Sequence, residues 1–200
     1  MRKASPLLVI LTGPSGAGKD AILSYLKESN FPLHYAITIT TRPRREKEVH
    51  GRDYYFLSRE EFEELRRKGE LLEYAEVYGH IYGVPRWEVE KPLREGKDVI
   101  VKVDVKGAKT LKRLYPEAVA IFLAPSSLEE LKERLRKRGT ESPEQLEIRL
   151  KKAEEEMREL SFFDYLVVNS EGKMEEAAAQ IKAIITAEKS RISRIRREGG

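Results

Sequence analysis

The segment Gly13-Pro14-Ser15-Gly16-Ala17-Gly18-Lys19 has the spacing G-x-x-x-x-G-K. A chain with that spacing can wrap backbone N–H groups around phosphate oxygens. The glycines let successive amides turn inward, and the positive end of the following helix faces the same point. Lys19 adds a point charge for the outer phosphates of a nucleoside triphosphate. An ordinary turn between strand and helix needs one glycine, not three with a lysine. The next residue is Asp20, where the pattern wants Ser or Thr to ligate magnesium. A carboxylate is also a hard oxygen ligand, although it places negative charge beside the phosphates. Phosphate binding is therefore expected here, with Asp20 a candidate magnesium ligand.

Two arginine clusters extend that chemistry. Thr40-Thr41-Arg42-Pro43-Arg44-Arg45 is followed by Glu48, Gly51 and Tyr54. Arginines held by fixed turns can clamp a second phosphate by bidentate contacts. Taken alone, the run reads equally as solvated surface. Arg134 and Arg138 are spaced i, i+4 and share one helix face. Arg149 lies on the next helix, beyond the turn Gly139-Thr140-Glu141-Ser142-Pro143. Two short helices joined by such a turn would form a lid, whose arginines arrive on closure and stabilise a transferring phosphoryl group. Surface pairing with Glu130, Glu133 and Glu141 is the competing account. Two carboxylates remain, Glu73 near Tyr74, Tyr78 and Tyr82, and Asp104 at the end of an apolar strand. A strand-end Asp beside such a loop commonly serves magnesium. Alternatively, a carboxylate accepts two N–H groups from a base edge; guanine offers N1–H and N2–H₂ there and adenine does not. The residues alone leave both roles open.

The elements that must position these groups alternate strand and helix, the mark of an α/β fold. Apolar runs at Leu7–Thr12, Asp98–Asp104, Ala118–Leu123 and Tyr165–Val168 read as buried strands. Helices are expected at Ala21–Lys27, Glu60–Lys68, Leu128–Lys137, from Pro143 to about Leu160, and from Lys173 to Ala187 or beyond. Ser58 with Glu61, Ser127 with Glu130 and Ser142 with Gln145 have capping-box spacing. Tyr35–Val84, rich in Thr, Tyr, Arg and Gly, reads as a β-rich lobe inserted in that core.

The chain has 200 residues, 38 Lys+Arg and 34 Asp+Glu, for a net charge of +4. That length gives one domain with a real core. With 40% hydrophobic and 36% charged residues it is neither disordered nor membrane-embedded. It has no cysteine and three histidines, which removes disulfides and thiolate zinc sites. The basic end from Lys189 reads as a helix terminus rather than a nucleic-acid arm. No nucleic-acid or membrane partner is expected, and with no targeting segment in view the expected location is the cytoplasm.

Five segments together resemble guanylate kinase: GPSGAGKD, TTRPRREKEVHGRDYYF, LLEYAEVYGHIYGVP, VDVKG and RLRKRGTESPEQLEIRL. They fall in that family's order and spacing, and the likeness spans roughly Leu7 to Ala187. The resemblance implies a P-loop nucleoside monophosphate kinase-like fold, a parallel-sheet core with an inserted β-rich nucleotide-binding lobe and a helical lid. The parts would be a core at about 5–34, 86–125 and 160–188, a GMP-binding lobe at about 35–85, a lid at about 126–159 and a basic tail at 189–200. It implies transfer of a phosphoryl group from ATP to GMP with magnesium. On this likeness Gly13 to Lys19, Asp20 and Asn169 would bind ATP. Arg42, Arg45, Tyr54 and Tyr82 would hold the GMP phosphate, with Glu48 in support. Glu73 and Asp104 would accept from the guanine edge, helped by Thr38. Lys19, Arg134, Arg138 and Arg149 would be catalytic.

Three positions depart from the family pattern. Asp20 replaces the hydroxyl residue, Lys102 stands where many members carry an acid, and Val84 replaces a Ser or Thr near the guanine. The first two suggest a charge exchange, with Lys102 offsetting Asp20. Two rivals remain at this stage. One is a catalytically weak guanylate-kinase-like interaction module, opposed by the intact phosphate loop and arginine set. The other is a kinase acting on a phosphorylated ribose.

Overall fold

A computed structural model describes residues 5–77, 79–137 and 142–194. In chain order the elements begin with β1 (Leu8–Thr12), α1 (Lys19–Glu28), β2 (His34–Tyr35), β3 (Ile39–Thr40), β4 (Tyr55–Phe56) and α2 (Arg59–Arg67). Then come β5 (Leu71–Val77), β6 (His80–Pro85), α3 (Arg86–Arg94), β7 (Val99–Lys102) and α4 (Val105–Leu114). The remainder are β8 (Val119–Ala124), α5 (Leu128–Lys137), α6 (Pro143–Met157), β9 (Tyr165–Val168) and α7 (Met174–Lys189). A five-stranded sheet has the order β2-β7-β1-β8-β9, and a four-stranded sheet has the order β4-β3-β6-β5. The pairs β2–β7 and β8–β9 are parallel, and the chain between the strands of each pair is long enough, and helical enough, for the crossover that parallel pairing needs. This is an α/β P-loop kinase-like fold. The chain divides into two compact units, residues 11–32 with 119 onward, and residues 6–10 with 33–118.

In the first unit every residue of β8 is buried, which explains its unbroken apolar sequence. Tyr165–Val168 was expected to be buried too, but β9 is a sheet edge and Leu166 and Val168 are exposed. Its apolar composition records strand propensity, while only Val167 on its inner face is fully covered. Helices α5 and α6 build a small core of their own from Leu131, Leu135 and Ala153, flanked by Leu128, Leu146 and Leu150. Ser142 caps α6 through a complete capping box with Gln145. At α5 only half of the expected box forms among the described residues. The Ser127 hydroxyl accepts from the Glu130 amide, while the Glu130 carboxylate takes the Ser126 hydroxyl and Arg134 instead.

In the second unit, β3 pairs antiparallel with β6 and parallel with β4, and β6 pairs antiparallel with β5. The strand content expected of residues 35–84 from their composition is present in that four-stranded sheet. The sheet is covered by α2, whose buried Phe62 lies against Gly83, where an added Cβ would sit 3.1 Å from the ring. Ser58 and Glu61 complete the capping box at the start of α2. Helices α3 and α4 escape the sequence reading. Pro92 lies inside α3, and Gly107 inside α4.

Candidate active site

The phosphate loop leaves β1 through Gly13, whose φ is +136° and whose added Cβ would overlap the Leu123 carbonyl oxygen. No side chain fits there, so the strand-to-loop turn is bound to glycine. The loop enters α1 at Gly18, with φ +96° and the Asn169 amide nitrogen in the place a Cβ would need. Asn169 is buried and its Nδ2 donates to the Ala17 carbonyl at 2.8 Å. It thus braces the loop as part of its floor. The Lys19 ammonium donates to the carbonyls of Gly13 and, at 3.0 Å, Pro14. It is held folded over the loop, where a phosphate oxygen would compete for the same protons. Asp20 is exposed in the first turn of α1.

Two of the three expected lid arginines reach this loop. Arg149 Nη1 donates to the Ser15 hydroxyl at 2.9 Å. Arg134 donates to the Asn169 carbonyl at 2.6 Å and the Ala17 carbonyl at 3.4 Å, and pairs with Glu130. Of the competing pairings with Glu130, Glu133 and Glu141, Arg134–Glu130 forms as a largely covered pair, while Glu133 pairs with Arg136, outside the cluster. Arg138 and the turn residues 139–141 lie outside the described residues, as does Tyr78.

The second unit gathers the other cluster. Arg42 pairs with Glu48 at 2.7 Å, and the other Glu48 oxygen accepts from the Arg45 amide at 2.9 Å. Burial would raise the Glu48 carboxyl, but these bonds outweigh it and hold it below the usual carboxylate range. Glu48 thereby fixes the Arg42 guanidinium and the backbone of the turn at Arg45. The Arg42 guanidinium lies 5.6 Å from the Tyr54 ring centroid, and the Tyr54 and Tyr82 rings meet edge-on at 6.1 Å. The Arg45 side chain is exposed, and its guanidinium makes no hydrogen bond or ion pair among the described residues. Lys102 Nζ donates to the Tyr54 hydroxyl at 2.6 Å.

Glu73 lies on β5 with 8% of its surface exposed. One carboxyl oxygen sits over Gly107, where an added Cβ would come within 2.7 Å. Its carboxyl has no hydrogen-bond partner among the described residues. Burial, and secondarily the charge of Asp104, push its pKa up from 4.5 to about 8. Asp104 caps α4, accepting from the Gly107 amide at 2.8 Å. Thr38 is buried, and its carbonyl accepts from the Tyr55 amide at 2.9 Å. Val84 is fully buried and pairs with Glu73 across β5 and β6. The unit thus offers arginines and tyrosines for an anion, and a buried carboxyl with the half-buried Asp104 for N–H donors.

The chain matches the family described as guanylate kinase over residues 5–188. Curated guanylate kinases are similar along almost their whole length. That of Lactococcus lactis is 47% identical over 94% of this chain and 91% of its own. That of Thermus thermophilus is 50% identical over 94% of this chain and 84% of its own. The chain belongs to the guanylate kinase family. It is an enzyme, a nucleotide-binding kinase. Among solved structures, the guanylate kinase of Anaplasma phagocytophilum aligns with a TM-score of 0.81 at 33% identity, covering 97% of this chain and 92% of that one. No helix among the described residues of this family member is long and apolar enough to cross a membrane.

One polar hub of this guanylate kinase family member was missed in the sequence. Glu88 on α3 is buried, and its carboxylate accepts from the Tyr55 hydroxyl at 2.8 Å and the Ile37 amide at 3.0 Å, with His34 Nε2 also at 3.0 Å. It ties β2, the strand of Tyr55 and the segment between them. No local signal marked it, because the partners of Glu88 lie 33 to 54 positions away along the chain.

Proposed function

We propose that the enzyme transfers the terminal phosphoryl group of ATP to GMP, giving ADP and GDP. The observation that carries this reading is the buried Glu73 carboxyl, unpartnered among the described residues and within the field of Asp104, two acceptors that match in kind the N–H groups of a guanine edge. A site built on such acceptors rejects bases that cannot fill them, because the carboxyl would stay buried and unpaired. We assign three working parts, a core, an acceptor lobe at about residues 35–85 and a lid at about 126–159.

In this reading the loop from Gly13 to Lys19 binds the ATP phosphates through backbone amides and the Lys19 ammonium. Arg42, Arg45, Tyr54 and Tyr82 hold the GMP phosphate, with Glu48 fixing the Arg42 guanidinium and the backbone at Arg45. Thr38 supports the guanine pocket. An oxygen of the GMP phosphate forms a bond to the γ-phosphorus as the bond to the bridging β–γ oxygen breaks, and ADP leaves with that electron pair. Lys19, Arg134, Arg138 and Arg149 meet the charge on the transferring group, which is where electrostatic stabilisation is largest. Asn169 contributes by holding the loop in register.

Among the described residues, no three His, Asp or Glu side chains cluster to hold a metal ion. A magnesium ion bound here would therefore take most ligands from nucleotide phosphates and water, as that ion commonly does. Asp20, exposed beside Lys19, offers the hard oxygen such an ion accepts, and we assign it that place. Bound with ATP, magnesium supplies neutralisation of the β- and γ-phosphate charge.

A coupled ADP-release assay with GMP, dGMP, AMP, UMP and a ribose bisphosphate as acceptors tests the assignment. GMP should exceed AMP in kcat/KM by a factor on the order of 10⁴. Equal use of AMP, or preference for the ribose bisphosphate, would refute it.

A further inference from the structure

Lys102 ends β7, and its ammonium lies 4.6 Å from the centre of the Tyr54 ring and 2.6 Å from the Tyr54 hydroxyl. An ammonium has three donors and no acceptor, so the tyrosine oxygen must accept in this bond. The hydroxyl keeps one hydrogen, and no acceptor takes it among the described residues. Cationic and aromatic groups flank the Tyr54 ring. Arg42 stands over the same ring, and Tyr82 meets its edge. The nearby carboxylate, Glu48, already accepts from Arg42 and from the Arg45 amide. A hydroxyl that accepts from a cation and has a proton left to give is arranged to donate to an anion.

We propose that Lys102 is a positioning residue for the phosphate of the acceptor substrate, acting by orienting the Tyr54 hydroxyl to donate. This rests on the acceptor-site reading above and deepens it. Two features follow from the geometry. Arginine is the conservative replacement, because it too can only donate. The effect belongs to the phosphate and not to the base, since Lys102 acts through Tyr54.

The test uses the full chain with Lys102→Met, Lys102→Arg, Tyr54→Phe, the Tyr54→Phe/Lys102→Met double variant and Arg42→Ala. KM for GMP and for ATP is measured, together with inhibition by guanosine, which carries no phosphate. Lys102→Met should raise the GMP KM about tenfold, the scale of one charge-assisted bond, and leave the ATP KM within about twofold. Guanosine inhibition should not move, and Lys102→Arg should recover most of the loss. In the Tyr54→Phe background the Lys102→Met change should add little, because the interaction is shared. If Lys102→Met spares the GMP KM while Arg42→Ala raises it, the proposal is overturned and the acceptor-site reading stands. If both spare it, the acceptor-site reading itself falls. Equal weakening of GMP and guanosine would mark Lys102 as merely structural, and additive effects in the double variant would remove Tyr54 as the intermediary. Should the methionine variant fail to fold, Lys102→Gln, which keeps a neutral donor, carries the same comparison against Lys102→Arg.

Discussion

Replacing Glu73 by glutamine should raise stability in alkaline solution and weaken GMP binding together. The carboxyl has a pKa of about 8 in the folded protein because it is buried and faces Asp104, against 4.5 for an ordinary glutamate. Between those values the folded chain holds a proton that the unfolded chain has released. Stability therefore falls as pH rises from about 4.5 to about 8, and the penalty is complete above that. At about 1.4 kcal/mol per tenfold the ceiling is about 5 kcal/mol. A glutamine side chain cannot ionise, so the Glu73→Gln variant should lose this slope. The two proteins should match near pH 5 and diverge by pH 8.5, with the variant more stable.

Binding has the opposite sign. The N–H groups of guanine favour the ionised carboxylate, so GMP should release a proton from Glu73 when it binds below pH 8. Above pH 7 the GMP phosphate is already close to dianionic, its second pKa being about 6. A further gain in GMP affinity from pH 7 to 8 would then report Glu73. Glutamine keeps one acceptor and presents a donor to the guanine donors, which should weaken binding by about 1.5–3 kcal/mol, roughly 10- to 100-fold. Urea unfolding across pH 5–9 measures the first effect. Calorimetric titration with GMP in buffers of different ionisation heat counts the proton. A variant destabilised equally at every pH, together with no proton release in the parent, would refute the reasoning.

Other outcomes follow from single contacts. Arg45→Ala should raise the KM for GMP by the equivalent of about 2–4 kcal/mol and spare that for ATP in steady-state kinetics, because one charged partner of a bound phosphate is lost. Gly18→Ala should weaken ATP binding and lower the thermal midpoint, since it forces a side chain onto Asn169 at positive φ; strain of about 1–3 kcal/mol is expected. Glu88→Gln should cost about 1–3 kcal/mol in urea unfolding, because a buried acceptor of several bonds is replaced by a group that can satisfy fewer. The Glu88 carboxyl itself is raised by burial but lowered further by His34, the Ile37 amide and Tyr55. The parent should hold this contribution above the usual glutamate pKa and lose it as pH falls through the lower folded value, so the two proteins converge in acid.

The legible parts of the sequence were those where one local rule dictates the outcome. The phosphate loop needs left-handed backbone and close approach, and only glycine supplies both, so Gly13 and Gly18 announce it. Serines with Glu or Gln three residues on announced the starts of α2 and α6. What stayed hidden was set by distant neighbours. Gly107 reads as a helix breaker, yet it sits inside α4 because the Glu73 carboxyl occupies the space of its side chain. Pro92 likewise argued against α3, which accommodates it on its buried face. The chain has no local sign that YLVV would be a sheet edge with Leu166 and Val168 uncovered. Among site residues, the arginine turn was visible as a charge run, but its fixing by Glu48 depends on tertiary placement. The Lys102–Tyr54 bond joins residues 48 positions apart and has no signature in either neighbourhood.

On the proposed reading, recognition is divided unequally between the two units. The loop from Gly13 to Lys19 would meet phosphates with backbone amides and one ammonium, and such donors read phosphate charge without reading a base. Its partners Arg134, Arg149 and Asn169 likewise address the loop and not a nucleobase. The other unit combines both signs, with Arg42 and Arg45 placed for an anion and a buried carboxyl for N–H groups. That carboxyl costs folding energy, because it is desolvated, faces a like charge and has no hydrogen-bond partner among the described residues. Such a cost is relieved by a proton below about pH 8, or by a ligand bearing donors at the right edge, so this destabilising group is also the selective one. Discrimination among acceptors should therefore lie with Glu73, while the phosphate loop supplies affinity that many triphosphates can share.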